Sequence, residues 1–546
     1  MTATLDRPAH HAAQRTGNLT GTWQLVRLAL RRDRVILPLW ILLLSFTPAG
    51  SAGAYDQLYP NPAEREMLSA TLGANPSVAV VYGPAFDLST AGGFTAWRMG
   101  SFLAVFIGLM AVFTVTRHTR AEEDTGRLEL LSAGVLGRYA ALTAAIVVSG
   151  GTSLIVGFAQ AGSLVGTGLP AAGSWAFGLS TAAAGLVFTA VAAVAVQVAE
   201  YSRTANGIGA TVLGAAFLLR AVGDSTTDVT WLSWLSPVGW AQQIRPYAGE
   251  RWWVLALPVV LTLVLAAVAY SLLPRRDLGT GILPPRPGPS AAASSLSSPL
   301  ALAWRLHRGA LIGWTVGMAV VGATFGSIAN GIGGIVGASE QTRQMFEKLG
   351  GSSGIIDAFL ATMTGMFGMV TAIYGVQAVL RMRSEETAVR AEPLLATRVS
   401  RLRWTLSHLT FALLGPVFVT AVAGFAMGAG HGLRVGDLWG TVADVFGGTL
   451  VQLPAIWVVI GVAMVLFGVL PKYTILAWAV AIGCVLLTLF GPILGLSEAF
   501  LNISPFSHIP KVPGGDVTAP PLLWLSAIAA VALVAGLAAF RRRDVG

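Results

Sequence analysis

Two stretches of this 546-residue chain concentrate ionisable groups, and they carry the same pattern. Residues 119–131 read TRAEEDTGRLELL and residues 382–394 read MRSEETAVRAEPL. At a shift of 263 positions, Arg120, Glu122, Glu123, Arg127, Glu129 and Leu131 face Arg383, Glu385, Glu386, Arg390, Glu392 and Leu394. On a helix, Glu123 stands four residues ahead of Arg127, and Glu386 four ahead of Arg390. That orientation supports a short helix by about 0.2–0.5 kcal/mol. Each stretch is therefore predicted as a surface helix, with Glu122, Glu129, Glu385 and Glu392 left free to meet a basic partner. One copy alone reads as a solvated loop holding two apolar segments apart. The second copy argues for a shared role, because a solvated loop needs no matched acids at matched positions.

Other chemistry finds less support. A phosphate-binding loop needs a Gly-Lys-Ser/Thr ending, whereas Lys348, Lys472 and Lys511 follow Glu, Pro and Pro. The chain is thus not expected to hydrolyse ATP, and no cofactor is expected in it. VSGGT at 148–152 lies inside an apolar run, where small residues serve close helix packing. Cys484 is the single cysteine, so neither a disulfide nor a cysteine-ligated metal site forms within one chain. The acids Glu64, Glu66, Asp87, Asp224 and Asp228 are scattered, and His10 and His11 lie in a polar tail. No metal site is expected, and a membrane enzyme lacks the clustered acids or histidines it would need.

The elements that position the two stretches follow from composition. Hydrophobic residues make up 54%, charged residues 11%, and the mean hydropathy is +0.69, values of a polytopic membrane protein. A helix crosses the hydrocarbon core in about 20 apolar residues and satisfies its own backbone there. Twelve spans are predicted, at 35–54, 99–116, 139–166, 174–199, 204–219, 252–273, 309–330, 358–380, 404–430, 445–471, 473–496 and 518–540. With the first 34 residues inside, 26 of the 35 Lys and Arg residues fall on the inner side. Both termini, both charged stretches and the Pro/Ser-rich segment at 274–300 are then expected in the cytoplasm. The net charge of +9 is accounted for by this one face, and a nucleic-acid partner is not expected.

The repeat extends beyond the charged stretches. Basic aromatic segments, TWQLVRLALRRDR (22–34) and ALAWRLHRGA (301–310), open the two halves. Trp23, Leu25, Leu28 and Leu30 suit the bilayer interface while the arginines meet anionic headgroups, although a plain flanking anchor explains them equally. Ser-Pro pairs at Ser236–Pro237 and Ser504–Pro505 precede the last span of each half. In the first outer loop, NPAEREML reads as a short helix with Asn61 as cap and Pro62 at its first position. The expected organisation is an all-α polytopic membrane protein. It has a tail and amphipathic helix (1–34), a six-helix half (35–273), a linker (274–300) and a second six-helix half (301–546).

These motifs resemble the permeases of ABC-2 type exporters, whose fold is that of type V exporters. YPNPAERE, YGPAFDLSTAGGFTAWRMG and RAEEDTGRLELLSAGVLGR are similar to actinobacterial permeases of the polyketide-antibiotic, tetronasin-exporting group. The resemblance implies an ATP-driven exporter of bulky hydrophobic compounds in the bacterial plasma membrane. It also implies two copies of a separate ATPase subunit, which would bind ATP and Mg. In that family the segment between the second and third spans is a coupling helix. Glu122, Glu123, Arg127 and Glu129 would dock one ATPase, and Glu385, Glu386, Arg390 and Glu392 the other. Val389 and Pro393 depart from Gly126 and Leu130 of the first copy, and Pro393 is expected to end its helix a turn early. Spans 2, 5, 8 and 11 would line the path, offering Phe102, Phe106, Phe113, Phe217, Met363, Met366, Phe367, Met369, Trp478 and Phe490; helix packing is the other reading of these residues. The alternatives are a twelve-span ion-coupled carrier, disfavoured because the spans hold no charge near mid-membrane, and a polytopic membrane enzyme.

Overall fold

Long apolar runs leave this chain one economical backbone solution, the helix, and a computed structural model shows it throughout. The structure describes residues 17–73, 76–127, 136–225, 227–277, 279–283, 288–336, 354–490 and 497–544. Among these, no residue is in a strand. Among the described residues eleven helices are long and apolar enough to cross a membrane, and a shorter apolar helix covers Leu476–Leu489. The protein is a multi-pass membrane protein, and the chain divides into two compact units, Met1–Pro287 and Gly288–Gly546.

In the first unit the helices are α1 (Thr22–Arg32), α2 (Ile36–Leu58), α3 (Pro62–Leu72), α4 (Pro76–Tyr82), α5 (Ala91–His118), α6 (Arg120–Asp124), α7 (Ala140–Gly166), α8 (Ala171–Val198), α9 (Ser202–Ser225), α10 (Pro237–Gln243) and α11 (Ala256–Leu272). The basic segment α1 lays Val26 and Ala29 against Leu37, Ala144 and Val148, and leaves Trp23, Leu28 and Leu30 exposed. It ends at Asp33, which is 1% exposed and lies 3.1 Å from Arg117 Nε and 2.7 Å from His118 Nε2. Burial pushes the Asp33 carboxyl up, but the hydrogen bond from His118 and the charges of His118, Arg117 and Arg32 outweigh it and hold the group below the ordinary aspartate range. In the first outer loop α3 does begin at Pro62, but the Asn61 side chain donates to Glu64 Oε1 at 3.2 Å instead of accepting a backbone N–H.

The core of this unit is α5 against α7, α8 and α9. Where α7 crosses α8 the backbones touch: a Cβ on Gly157 or on Gly178 would collide with the carbonyl oxygen of the other. Ser149 and Thr189 share a hydrogen bond of 2.7 Å across the same pair, so the VSGGT run is helix packing. At the end away from the charged stretch, Arg220 donates to Ala79 O and Val81 O, both at 3.1 Å, and pairs with Asp224.

The second unit contains α12 (Pro299–Val336), α13 (Ile355–Thr387), α14 (Ala391–Leu395), α15 (Arg401–Val435), α16 (Leu438–Leu450), α17 (Leu453–Val469), α18 (Leu476–Phe490), α19 (Glu498–Leu501) and α20 (Ala519–Arg542). One feature departs from the sequence-based reading. The second basic segment is not a separate amphipathic helix; with no counterpart of the Asp33 stop, it runs into the following span as one 38-residue helix. The expected span 445–471 corresponds to one 32-residue span, Leu438–Val469, with a two-residue turn at Val451–Gln452 between α16 and α17 where both residues keep helical φ/ψ. Pro454 accounts for the turn, since its ring lacks the N–H that would bond the carbonyl four residues back.

The Ser-Pro pairs do the same work in both units. Ser236 Oγ donates to Ala216 O at 2.6 Å, and Ser504 Oγ to Cys484 O at 3.4 Å, each reaching 20 residues back to the preceding span. Pro237 and Pro505 then start short helices.

Gly157→Val should lower the melting temperature in detergent by an amount corresponding to about 1–3 kcal/mol, the cost of overpacking. Gly162→Ala in the same helix, where a Cβ meets nothing within 4 Å, should leave stability unchanged or raise it.

Candidate functional site

The first charged stretch begins just after α5 ends, the second starts within the last turns of α13, and in both units the second glutamate is the hub. Glu123 accepts from Arg120 Nη1 at 2.6 Å and takes a two-pronged contact from Arg276, Nη1 and Nη2 each at 2.8 Å. The Gly279 N–H adds a fourth bond at 3.2 Å. Arg120 is fully buried; its remaining N–H groups donate to Val196 O at 2.7 and 3.2 Å and to Thr280 O at 3.0 Å. Arg276 also donates to Gln197 Oε1 at 2.7 Å. One carboxylate thereby ties the ends of α5 and α8 to the segment that follows α11. Such charge-assisted, forked bonds are among the strongest available to side chains.

The second unit repeats the arrangement. Glu386 accepts from Arg383 at 3.1 Å and from Arg543, which follows α20 and lies over the rings of Phe467 and Phe540 at 4.9 and 5.1 Å. In each unit, then, the hub glutamate holds the arginine three residues before it and an arginine just beyond the unit's last span.

The first glutamate of each pair is buried too. Glu122, 7% exposed, pairs with Arg32 of α1 at 2.6 Å. Glu385, 6% exposed, pairs with Arg381 at 2.9 Å and accepts from Arg390 at 2.8 and 3.1 Å, which raises the pKa of the Arg390 guanidinium further. The expectation that Glu122 and Glu385 stand free is corrected: a carboxylate at the end of an apolar helix faces inward, where arginines of its own unit are closer than any partner. In place of the expected Glu123–Arg127 and Glu386–Arg390 pairs, Glu123 takes Arg120 and Arg276, Glu386 takes Arg383 and Arg543, and Arg390 turns to Glu385. Glu129 lies outside the described residues. What faces outward is Asp124, Thr125 and Arg127 in the first unit and Val389, Arg390, Glu392 and Pro393 in the second.

Between the glutamates and this outward surface the chain turns through the left-handed region at equivalent positions, Gly126 with φ +68° and Val389 with φ +56°. Glycine adopts that conformation freely, whereas a β-branched residue is strained there. Pro393 does not cut a helix short. The break falls at Val389, and Pro393 sits in the first turn of the new helix α14, where a missing N–H costs nothing.

The residues expected to line a path are dispersed. Phe106 and Phe113 are exposed on one face of α5, 45% and 46%. Phe102 is half-buried with its ring edge on Tyr82, and Phe217 lies under Arg220 at 4.6 Å. Met363 and Phe367 are buried, Phe367 near Phe325, and Trp478 packs partly against the second core. The side chain of Phe490 lies outside the described residues. Met366 and Met369 face an open cavity.

Sequence reasoning missed Arg276 and Arg543. A signal was present, because Arg-Asp follows the last span of both halves, at Arg276–Asp277 and Arg543–Asp544.

Removing Arg276 leaves a nearly buried carboxylate short of its main partner, so Arg276→Ala should cost about 3 kcal/mol in an unfolding titration, and much less in a Glu123→Gln background. Val389→Gly should stabilise by about 1 kcal/mol, and Gly126→Val, which meets nothing within 4 Å, should destabilise by a similar amount.

Residues 296–541 match the family model described as the C-terminal domain of the multidrug efflux system permease Rv1217c. The chain is 46% identical over 542 residues to the multidrug efflux system permease protein Rv1217c of Mycobacterium tuberculosis, covering 99% of this chain and 98% of that protein. With similarity running through both clasped units almost end to end, this chain belongs to the Rv1217c family of multidrug efflux system permeases.

Proposed function

We propose that the chain is the membrane-spanning permease subunit of an ATP-driven exporter, moving bulky hydrophobic drug-like compounds out of the cell. The observation that carries this reading is its near-full-length similarity to a multidrug efflux permease, and the paired clasps supply a means of coupling. The chain acts as a transporter rather than an enzyme. ATP and Mg would bind two copies of a separate ATPase, one beneath each charged stretch, and no cofactor is assigned to this chain. The earlier resemblance supports a polyketide-like antibiotic among the substrates, and a twelve-span arrangement of two six-helix halves with both termini in the cytoplasm of a bacterial plasma membrane.

In this reading the eight charged residues divide their labour. Arg127 and Glu392, both exposed, touch the ATPase, together with Arg390 and Glu129. Glu122, Glu123, Glu385 and Glu386 brace the contact from behind. Because Glu123 and Glu386 grip arginines beyond the last spans, a push on the outward turn reaches two spans of that unit at once. Nucleotide binding then shifts each unit between states to the extent that the ATPase holds the two states with different affinity. The exposed faces of Phe106 and Phe113 offer apolar contact to the substrate.

With the cognate ATPase, Arg127→Glu combined with Glu392→Arg should lower drug-stimulated ATP hydrolysis at least about tenfold while melting stays within about 0.5 kcal/mol of wild type, as for other surface changes. Unchanged hydrolysis would remove the docking assignment. Drug transport that follows a proton gradient and ignores ATP would favour the ion-coupled carrier.

A further inference from the structure

The second unit encloses a half-open cavity of about 210 Å³ at the end of α13 opposite its charged stretch. About twenty residues, or about 30 Å of helix, separate Gly365 at the cavity from Glu385. Its inner wall is Met369, Gln452, Phe506 and Ile509, all less than 9% exposed. Gln452 reaches the cavity from the two-residue turn between α16 and α17, just ahead of Pro454, whose missing N–H cannot bond the carbonyl four residues back. Lys511 stands exposed at the rim, and among the described residues that line the cavity it is the one that carries a charge.

The first unit has filled the corresponding space. Between α5 and its own Ser-Pro segment only about 20 Å³ remains, lined by Trp97, Phe177 and Gln242 among others. Trp97 donates to Gly83 O at 3.0 Å, and the Gln242 amide reaches Tyr82 O and Ser101 Oγ at 2.5 and 2.6 Å, closing the gap. Counting from the two Ser-Pro pairs, the second unit has Pro510 where the first has Gln242; its segment reaches α13 only two residues later, where Thr364 Oγ1 donates to Val512 O at 2.9 Å, and the space before that contact stays open. The open volume exceeds the ~150 Å³ apolar cavity that takes up benzene and falls short of the roughly 300–1,000 Å³ that holds a whole drug-sized molecule. It suits the apolar part of a ligand whose polar end remains outside.

We propose that this cavity binds an amphiphilic organic anion, its chain or ring inserted between Met366, Met369 and Phe506 and its acidic head against Lys511. Met366, Met369 and Phe506 offer apolar surface where the ligand body would lie, and the Lys511 ammonium stands where the head would emerge into water. That the bound anion is also a transported compound rests on the permease reading; occupancy itself requires neither ATPase nor nucleotide.

The test uses the full chain in nanodiscs of neutral phosphatidylcholine, without nucleotide, and equilibrium binding of radiolabelled dodecanoate and dodecanol. Wild type should bind dodecanoate saturably and dodecanol at least about tenfold more weakly, equivalent to about 1.4 kcal/mol. Lys511→Gln should erase that preference and Lys511→Arg should keep it. A Cβ at Gly365 meets nothing within 4 Å, so Gly365→Leu grows into open space and should abolish saturable binding of both probes without lowering the melting temperature. Non-saturable uptake by wild type, an anion preference that survives in Lys511→Gln, or wild-type binding by Gly365→Leu would overturn the proposal. Saturable, Lys511-dependent binding in a protein that no ATPase drives would uphold the site and overturn the permease reading instead.

Discussion

A carboxylate gripped by guanidinium groups at the end of a membrane helix is the interaction on which each unit depends. Glu123 and Glu386 would be costly where they stand without partners, since a nearly buried charge loses its hydration. Each is neutralised by one arginine a helical turn back and another that has already left the membrane beyond the unit's last helix. Residues more than 150 positions apart are thereby held at one point. The clasp makes the exposed turn beyond it the end of a braced assembly, so force applied there is not absorbed by a floppy loop.

The two units share this device and differ around it. Gly126 and Val389 make the same left-handed turn, one at no cost and the other under strain. Asp33 separates the first basic helix from its span, while the second basic segment is continuous with the helix it enters. Below the Ser-Pro segments, the first unit is packed with Trp97, Phe177 and Gln242, and the second is open. The common clasp keeps the outward turns equivalent while the opposite ends of the two units diverge.

The long helices were legible in the sequence, because an apolar run of some 20 residues has few other conformations open to it in a membrane. The charged repeat was also legible, since six residues recur in order at one shift. Less legible was where the charges point. Sequence spacing favours the local pairs Glu123–Arg127 and Glu386–Arg390, worth a few tenths of a kcal/mol, whereas the folded chain gives Glu123 a forked bond from the distant Arg276, gives Glu386 the distant Arg543, and turns Arg390 to Glu385. The two-residue turn before Pro454 within the span Leu438–Val469 was predictable in principle from the proline alone.

Composition and periodicity by themselves determined that this is a multi-pass helical protein built on a repeated plan with two charged stretches, because those properties depend on local transfer energies and on residue order. Only the tertiary structure decided that Glu122 and Glu385 face inward, that Arg276 and Arg543 complete the clasps, and that Lys511 overlooks an open cavity. Those outcomes depend on which groups meet after the chain has doubled back on itself, and the geometry of packed helices, with a glutamine present in one unit and a proline in the other, sets that separately for each pair.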